Sequence, residues 1–218
     1  MKKSKKLLII CLLLISNILS NKLAAQNQSG ILLNVGIKKY LLQLTDLNGQ
    51  QANGPKGRLA PLFGVSYAHV LGKNISATYE FDLSTLKATY TEPQMLNPAT
   101  EVTLKAPRTL SLRIVGHYRI IDQFFVSAGL GYDFLGFGIE SADDSSDLSL
   151  ELSDASRNAS LITGIGYAAD QFRVTLRHHA GLTNFIMSED LRWHDTWRYD
   201  KLKIGQISLT LGYVFGAK

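Results

Sequence analysis

The chain has 218 residues, 45% of them hydrophobic and 19% charged, with a formal net charge of +5. Five lysines (Lys2, Lys3, Lys5, Lys6 and Lys22) crowd its opening stretch, so the remainder carries 18 basic against 18 acidic residues, and that near-neutral balance gives no electrostatic case for nucleic acid. The single cysteine, Cys11, lies in the same stretch, which leaves the rest of the chain without disulfide or thiol chemistry.

Residues 1–25 read as a signal peptide: a basic start, an apolar run from Leu7 to Ile15, then the small residues of Leu23-Ala24-Ala25-Gln26, with cleavage expected near Ala25. Cys11 follows Ile9-Ile10 in the middle of the apolar run, which is not where a lipid-anchoring cysteine sits. Residues 26–218 remain as one domain. No apolar run in them approaches the roughly 20 residues of a membrane helix, so a membrane-embedded form has to cross as strands.

Alternation with period two dominates the remainder and predicts eight strands. The first two cover Gly30–Lys39 and Leu62–Val70. The third sets Ile75, Ala77, Tyr79, Phe81 and Leu83 on one face against Ser76, Thr78, Glu80, Asp82 and Ser84. In the fourth, Leu110, Leu112, Ile114, Tyr118 and Ile120 oppose Thr109, Ser111, Arg113, His117 and Arg119. Phe124–Phe134 and Ser160–Ala169 are the fifth and sixth. The seventh sets Phe172, Val174 and Leu176 against Arg173, Thr175 and Arg177; the eighth sets Ile207, Leu209, Leu211, Tyr213 and Phe215 against Gln206, Ser208, Thr210 and Gly212. An apolar face backed by a polar one suits a strand between lipid and a polar lumen.

The connections alternate in length. Leu71–Asn74, Ile121–Gln123 and Ala169–Gln171 are short turns, whereas 41–61, 85–107, 136–159 and 183–203 are long. This is the pattern of an eight-stranded antiparallel up-and-down transmembrane β-barrel, with turns and both termini periplasmic and long loops outside. Aromatic residues fall near both ends of the lipid face: Tyr67, Tyr118, Phe124, Tyr167, Phe172, Tyr213 and Phe215 at one, Phe63, Phe81, Tyr132 and Phe134 at the other. A weak repeat runs through the hairpins, with Gly129-Leu130-Gly131-Tyr132 echoed by Gly164-Ile165-Gly166-Tyr167 and Asp122-Gln123-Phe124 by Asp170-Gln171-Phe172.

The closing stretch Thr210-Leu211-Gly212-Tyr213-Val214-Phe215 resembles the C-terminal signal of outer-membrane barrels, here followed by Gly216-Ala217-Lys218. Together with the leader and the Gly-x-Gly-Tyr strands, it makes the whole of 26–218 similar to the small outer-membrane β-barrel, porin-family or PorT-like, proteins of Bacteroidetes. That resemblance implies export to the bacterial outer membrane and contact with its lipid. It also implies recognition of the last strand by the barrel-assembly machinery and, as for some PorT-like members, envelope or secretion-system proteins as partners.

By parity the lumen receives Glu80, Asp82 and Asp133 with Arg113, His117, Arg119, Arg173 and Arg177. An eight-stranded barrel is only wide enough for side chains to fill, so these charges are expected to pair. A simple register about the short turns puts Arg113 opposite Gly131 and Arg177 opposite Gly164, each guanidinium facing a position without a side chain. A plugged lumen is the expectation; a narrow pore for small solutes is the alternative.

A lipid-modifying enzyme is the less favoured alternative. His178 is expected to face lipid and His179 the lumen, His69 and His117 fall near the periplasmic end and His194 in a loop, so no triad stands out and no catalytic residue is assigned. A soluble lipocalin-type barrel would turn Glu80, Asp82, Arg113, Arg173 and Arg177 outward and leave the aromatic girdles without a purpose. The last long connection holds Trp193, Trp197, Arg198 and Tyr199, suited either to the barrel rim or to a partner. Asp143, Asp144, Asp147, Glu151 and Asp154 read as a solvated acidic loop without EF-hand spacing. No cofactor or metal motif is present.

Overall fold

The computed structural model describes residues 29–46, 51–52, 56–92, 100–141, 156–169, 171–186 and 199–215. Eight long strands run in chain order: β1 Gly30–Asp46, β2 Lys56–Val70, β3 Ile75–Glu92, β4 Thr100–Ile121, β5 Phe124–Ser141, β6 Ser156–Ala169, β7 Phe172–Gly181 and β8 Tyr199–Phe215. Two short pieces, Gln51–Ala52 and Asn184–Ile186, pair with β1 and β8. Every long strand lies antiparallel beside its chain neighbours, and β1 pairs β8 from Ile31↔Phe215 to Asp46↔Tyr199, so the sheet closes. The expected closed eight-stranded antiparallel barrel is the one observed.

The register fixes its geometry. Pairings followed once round, from Gly30 to Ala68, Thr78, Val115, Gly129, Ile162, His179, Gln206 and Tyr40, return to β1 ten residues further on (40 − 30 = 10). A shear of that size over eight strands tilts them by about 40° and leaves an interior that side chains fill.

Alternation sorts the residues as expected. Leu130, Ile165 and Phe63 are among the outward apolar side chains, each at least 60% exposed. On β5 the outward row runs from Phe124 to Phe134, ten residue steps, which at a tilt of about 40° spans roughly 25 Å, the height of the apolar band of such barrels. The aromatics at its short-turn edge pair edge to face: Phe124 with Tyr167 at 5.0 Å and Phe172 with Tyr213 at 5.3 Å. Tyr132 and Phe134 do the same at the other edge.

The strands are longer than the alternation predicts. β3 continues to Glu92, β4 begins at Thr100, β5 runs to Ser141 and β1 to Asp46, all inside stretches read as long connections. Past the apolar band the alternation inverts, with Leu42, Leu86, Leu202 and Ile204 turned inward and Gln43, Thr85 and Lys203 exposed, so a rule that puts apolar residues outside stops there while the backbone pairing persists. The prolines there are tolerated at irregularities: pairing shifts between Lys105 and Arg108 around Pro107, and between Gly57 and Leu62 beside Pro61. The expected leader 1–25 and the acidic loop lie outside the described residues.

Candidate functional site: a packed ionic lumen

The inward positions of eight strands converge on one axis, and their chemistry is layered. Leu32, Ala68 and Val214 pack together toward the short turns, with Phe125 near them. Leu42, Leu135, Leu202 and Ile204 fill the other end. Between these apolar layers lie Lys38, Glu80, Asp82, Arg113, Asp133 and Arg177, all buried, while Arg173 is buried at the level of the short-turn layer itself and also lines the space at the short-turn mouth.

Two ion pairs organise the charged layer. Arg177, on β7, grips Glu80, on β3, with both terminal nitrogens, Nη1 to Oε2 at 2.5 Å and Nη2 to Oε1 at 2.8 Å, a bidentate pair across the lumen. Arg113 pairs with Asp82 on the neighbouring strand and reaches toward Asp133, Nη2 to Oδ1 at 3.9 Å. Neutral donors complete the carboxylates. The Thr78 hydroxyl donates to Glu80 at 2.8 Å, and Asp133 accepts from Gln206 at 2.9 Å and from Asn158 at 3.3 Å. Arg173, without a carboxylate among the described ion pairs, lies over the Phe125 ring at 4.7 Å.

Glycines make the layer possible. Gly131 faces Arg113 and Gly164 faces Arg177, as the register about the turns predicts. Two more complete the pattern, with Gly64 opposite Asp82 and Gly212 opposite Arg173. A Cβ at Gly164 would stand 2.7 Å from Arg177 Cγ, and one at Gly64 would collide with Asp82 Oδ1. The space left between Asn34, Glu80, Asp82 and Arg177 is about 10 Å³, room for one water.

Of the eight lumen residues singled out from sequence, the structure brings Glu80, Asp82, Arg113, Asp133, Arg173 and Arg177 together with His117, whose Nε2 lies 2.9 Å from Thr78 Oγ1. Arg119 is half-buried beside Lys73 and Asn74 at the short-turn mouth and has a partner of its own. Sequence reasoning missed Lys38. It is fully buried, with Nζ 4.8 Å from the centre of the Tyr40 ring. Its parity with Asn34 and Gln206, all on the polar side, was the signal available. His179 points inward, with Nε2 3.2 Å from Ser208 Oγ, and His178 outward. Trp193, Trp197 and Arg198 lie outside the described residues; Tyr199 is described only as the first residue of β8, paired with Asp46. Among the described residues no group of three or more His, Cys, Asp or Glu could hold a metal.

No family model matches the chain, and no curated protein matches it in sequence. Among solved structures, Neisserial surface protein A superposes with a TM-score of 0.54 at 14% identity, over 86% of this chain and 98% of that one. The fold is that of a small outer-membrane β-barrel. The attachment invasion locus protein Ail of Yersinia pestis gives 0.49 at 13% identity over 86% and 100% of the two chains, and OprG of Pseudomonas aeruginosa 0.46 at 10% over 89% and 99%.

Proposed function

We propose that this chain is an exported outer-membrane barrel whose lumen is permanently plugged and whose role is structural or interactive within the envelope, exerted by its surface and not by transport. The observation that carries this reading is the sealed lumen, in which the bidentate Arg177–Glu80 pair and the Arg113–Asp82 pair lie between apolar layers. A conducting lumen needs a continuous polar path, whereas here Leu42, Leu135, Leu202 and Ile204 occupy one end. The alternation of short turns and long connections supports placing the turns in the periplasm and the connections outside, and the resemblance to PorT-like proteins supports a part in protein secretion.

Catalysis is not part of the proposal. The two described histidine–hydroxyl contacts, His179–Ser208 and His117–Thr78, are both buried among lumen side chains, His117 on the wall of a small space at the short-turn mouth, which supports a reading without catalysis. Planar-bilayer recording of the refolded protein tests the reading: no steady unitary current is expected, and steady currents would replace the plug with a narrow pore. Co-purification from the native envelope tests the secretion role, which fails if no secretion subunit accompanies the tagged barrel.

A further inference from the structure

We propose that the outer surface at the long-connection end, centred on β8, β1 and β2, is a binding site for a phosphorylated glycolipid of the outer leaflet. The proposal rests on the outer-membrane reading above.

A cation on the lipid face of a barrel is costly near mid-membrane and is tolerated near the interfaces. Among the described side chains, Lys39 on β1, Arg58 on β2, Arg157 on β6 and Lys203 on β8 are exposed. Lys39 and Lys203 continue the outward rows of Val35 and Ile37 on β1 and of Leu209 and Ile207 on β8. Arg58 sits where irregular pairing leaves two consecutive residues, Arg58 and Leu59, both exposed.

The register brings these four to one level. Lys39 pairs Leu59, Gln43 pairs Lys203, and Val35 leads through Phe63, Leu83, Leu110 and Phe134 to Arg157. A shear of ten over eight strands climbs about 1.25 residues per strand, which sets all four within about three residue rises, roughly 7 Å along the axis. The girdle lies at the long-connection edge of the apolar band. No described carboxylate shares it: Glu80, Asp82 and Asp133 point into the lumen, and Asp122 lies in a turn at the opposite end.

The two chemistries are stacked on the same strands. Val35, Ile37, Phe63, Ile207 and Leu209 offer an apolar wall to acyl chains, and the cations above them meet a phosphate at the headgroup. Lys39 and Arg58 lie about 6 Å apart on neighbouring strands, and Lys203, opposite Gln43 and so four residues along β1 from Lys39, lies about 14 Å from both, a spread suited to two phosphates carried on a sugar backbone better than to the single phosphodiester of a glycerophospholipid. Arginine adds bidentate contact with phosphate oxygens.

Native mass spectrometry of the refolded protein in neutral detergent tests this, with diphosphoryl lipid A, its dephosphorylated form and phosphatidylglycerol as probes. Each cation at an anionic lipid surface is worth about a factor of five, so Lys39→Ala/Arg58→Ala/Lys203→Ala is expected to bind diphosphoryl lipid A about 100-fold more weakly, while Lys73→Ala at the opposite end binds as the parent does. Preference of the unmodified protein for diphosphoryl over dephosphorylated lipid A supports the site even if the triple variant fails to refold. Equal binding of both forms of lipid A, equal binding of phosphatidylglycerol, or undiminished binding by the folded triple variant overturns it. Refolded protein that gives no heat-modifiable band and does not float with vesicles overturns the barrel reading itself, and the lipid site with it.

Discussion

Gly164 and Gly131 look interchangeable in sequence, yet the structure separates them. A Cβ at Gly164 meets the Leu176 carbonyl oxygen at 2.6 Å as well as Arg177 Cγ at 2.7 Å, and the carbonyl belongs to the neighbouring strand and cannot swing aside. At Gly131 the nearest atom is the Ser160 hydroxyl at 2.7 Å, which can rotate, and Arg113 Cγ is 3.6 Å away. Gly164→Ala is therefore expected to destabilise by about 1–3 kcal/mol and Gly131→Ala by less, read from urea midpoints of the refolded barrel. The reverse order would mean that the arginines do not occupy the space opposite the glycines. Charge removal is harsher. Glu80→Gln leaves the buried Arg177 guanidinium without its counter-charge and is expected to cost about 3–5 kcal/mol, whereas replacing Glu80 and Arg177 together by apolar residues recovers most of that loss.

At the scale of elements, the Asp-Gln-Phe repeat has a mechanical meaning. In both turns the glutamine side chain accepts from a tyrosine on the strand beyond: Tyr167 to Gln123, and Tyr213 to Gln171 at 2.5 Å. The glutamine carbonyls accept as well, from Ala168 N at 2.9 Å and Val214 N at 2.8 Å, so each turn is clasped to the next strand at two points. Tyr213→Phe is expected to cost about 1 kcal/mol in the same urea assay and Gln171→Ala about the same, with little further loss in the double variant because both remove one bond. The Gly-x-Gly-Tyr repeat is of another kind. Tyr167 lies at the short-turn edge and Tyr132 toward the long connections, so the two copies are not equivalent in the barrel. Strand identity and facing were legible in the sequence because lipid on one side and a polar lumen on the other impose a strict period of two, as β7 displays from Phe172 to Gly181. The ends of the strands were not, since beyond the band the contrast reverses, with Leu42, Leu202 and Ile204 inside and Gln43 and Lys203 outside. Lys38 stayed hidden beside Lys39: of two adjacent lysines one must face each way, and β1 carries apolar residues on both faces, Leu32 inside and Leu33 outside.

For the whole molecule, the charged layer is uneven. The buried described side chains comprise four cations, Lys38, Arg113, Arg173 and Arg177, against the carboxylates Glu80, Asp82 and Asp133. The excess is offset by aromatic faces, Tyr40 under Lys38 and Phe125 under Arg173. The apolar layers close the barrel independently of the ions. Asp82→Ala/Arg113→Ala is thus expected to stay silent in planar bilayers while losing stability, because Leu42, Leu135, Leu202 and Ile204 still fill one end. Unitary currents from that variant would show that the ion pairs alone hold the lumen shut.

Arg177 and Glu80 stand 97 positions apart and meet only across the finished cylinder. While the seam between β1 and β8 is open, that guanidinium and that carboxylate have no shelter from hydrocarbon; once it closes, each has its counter-ion and neither touches lipid. Closing the seam and sheltering the charges are thereby one event, since the β1–β8 pairing that completes the cylinder is what sets β7 and β3 across a common lumen.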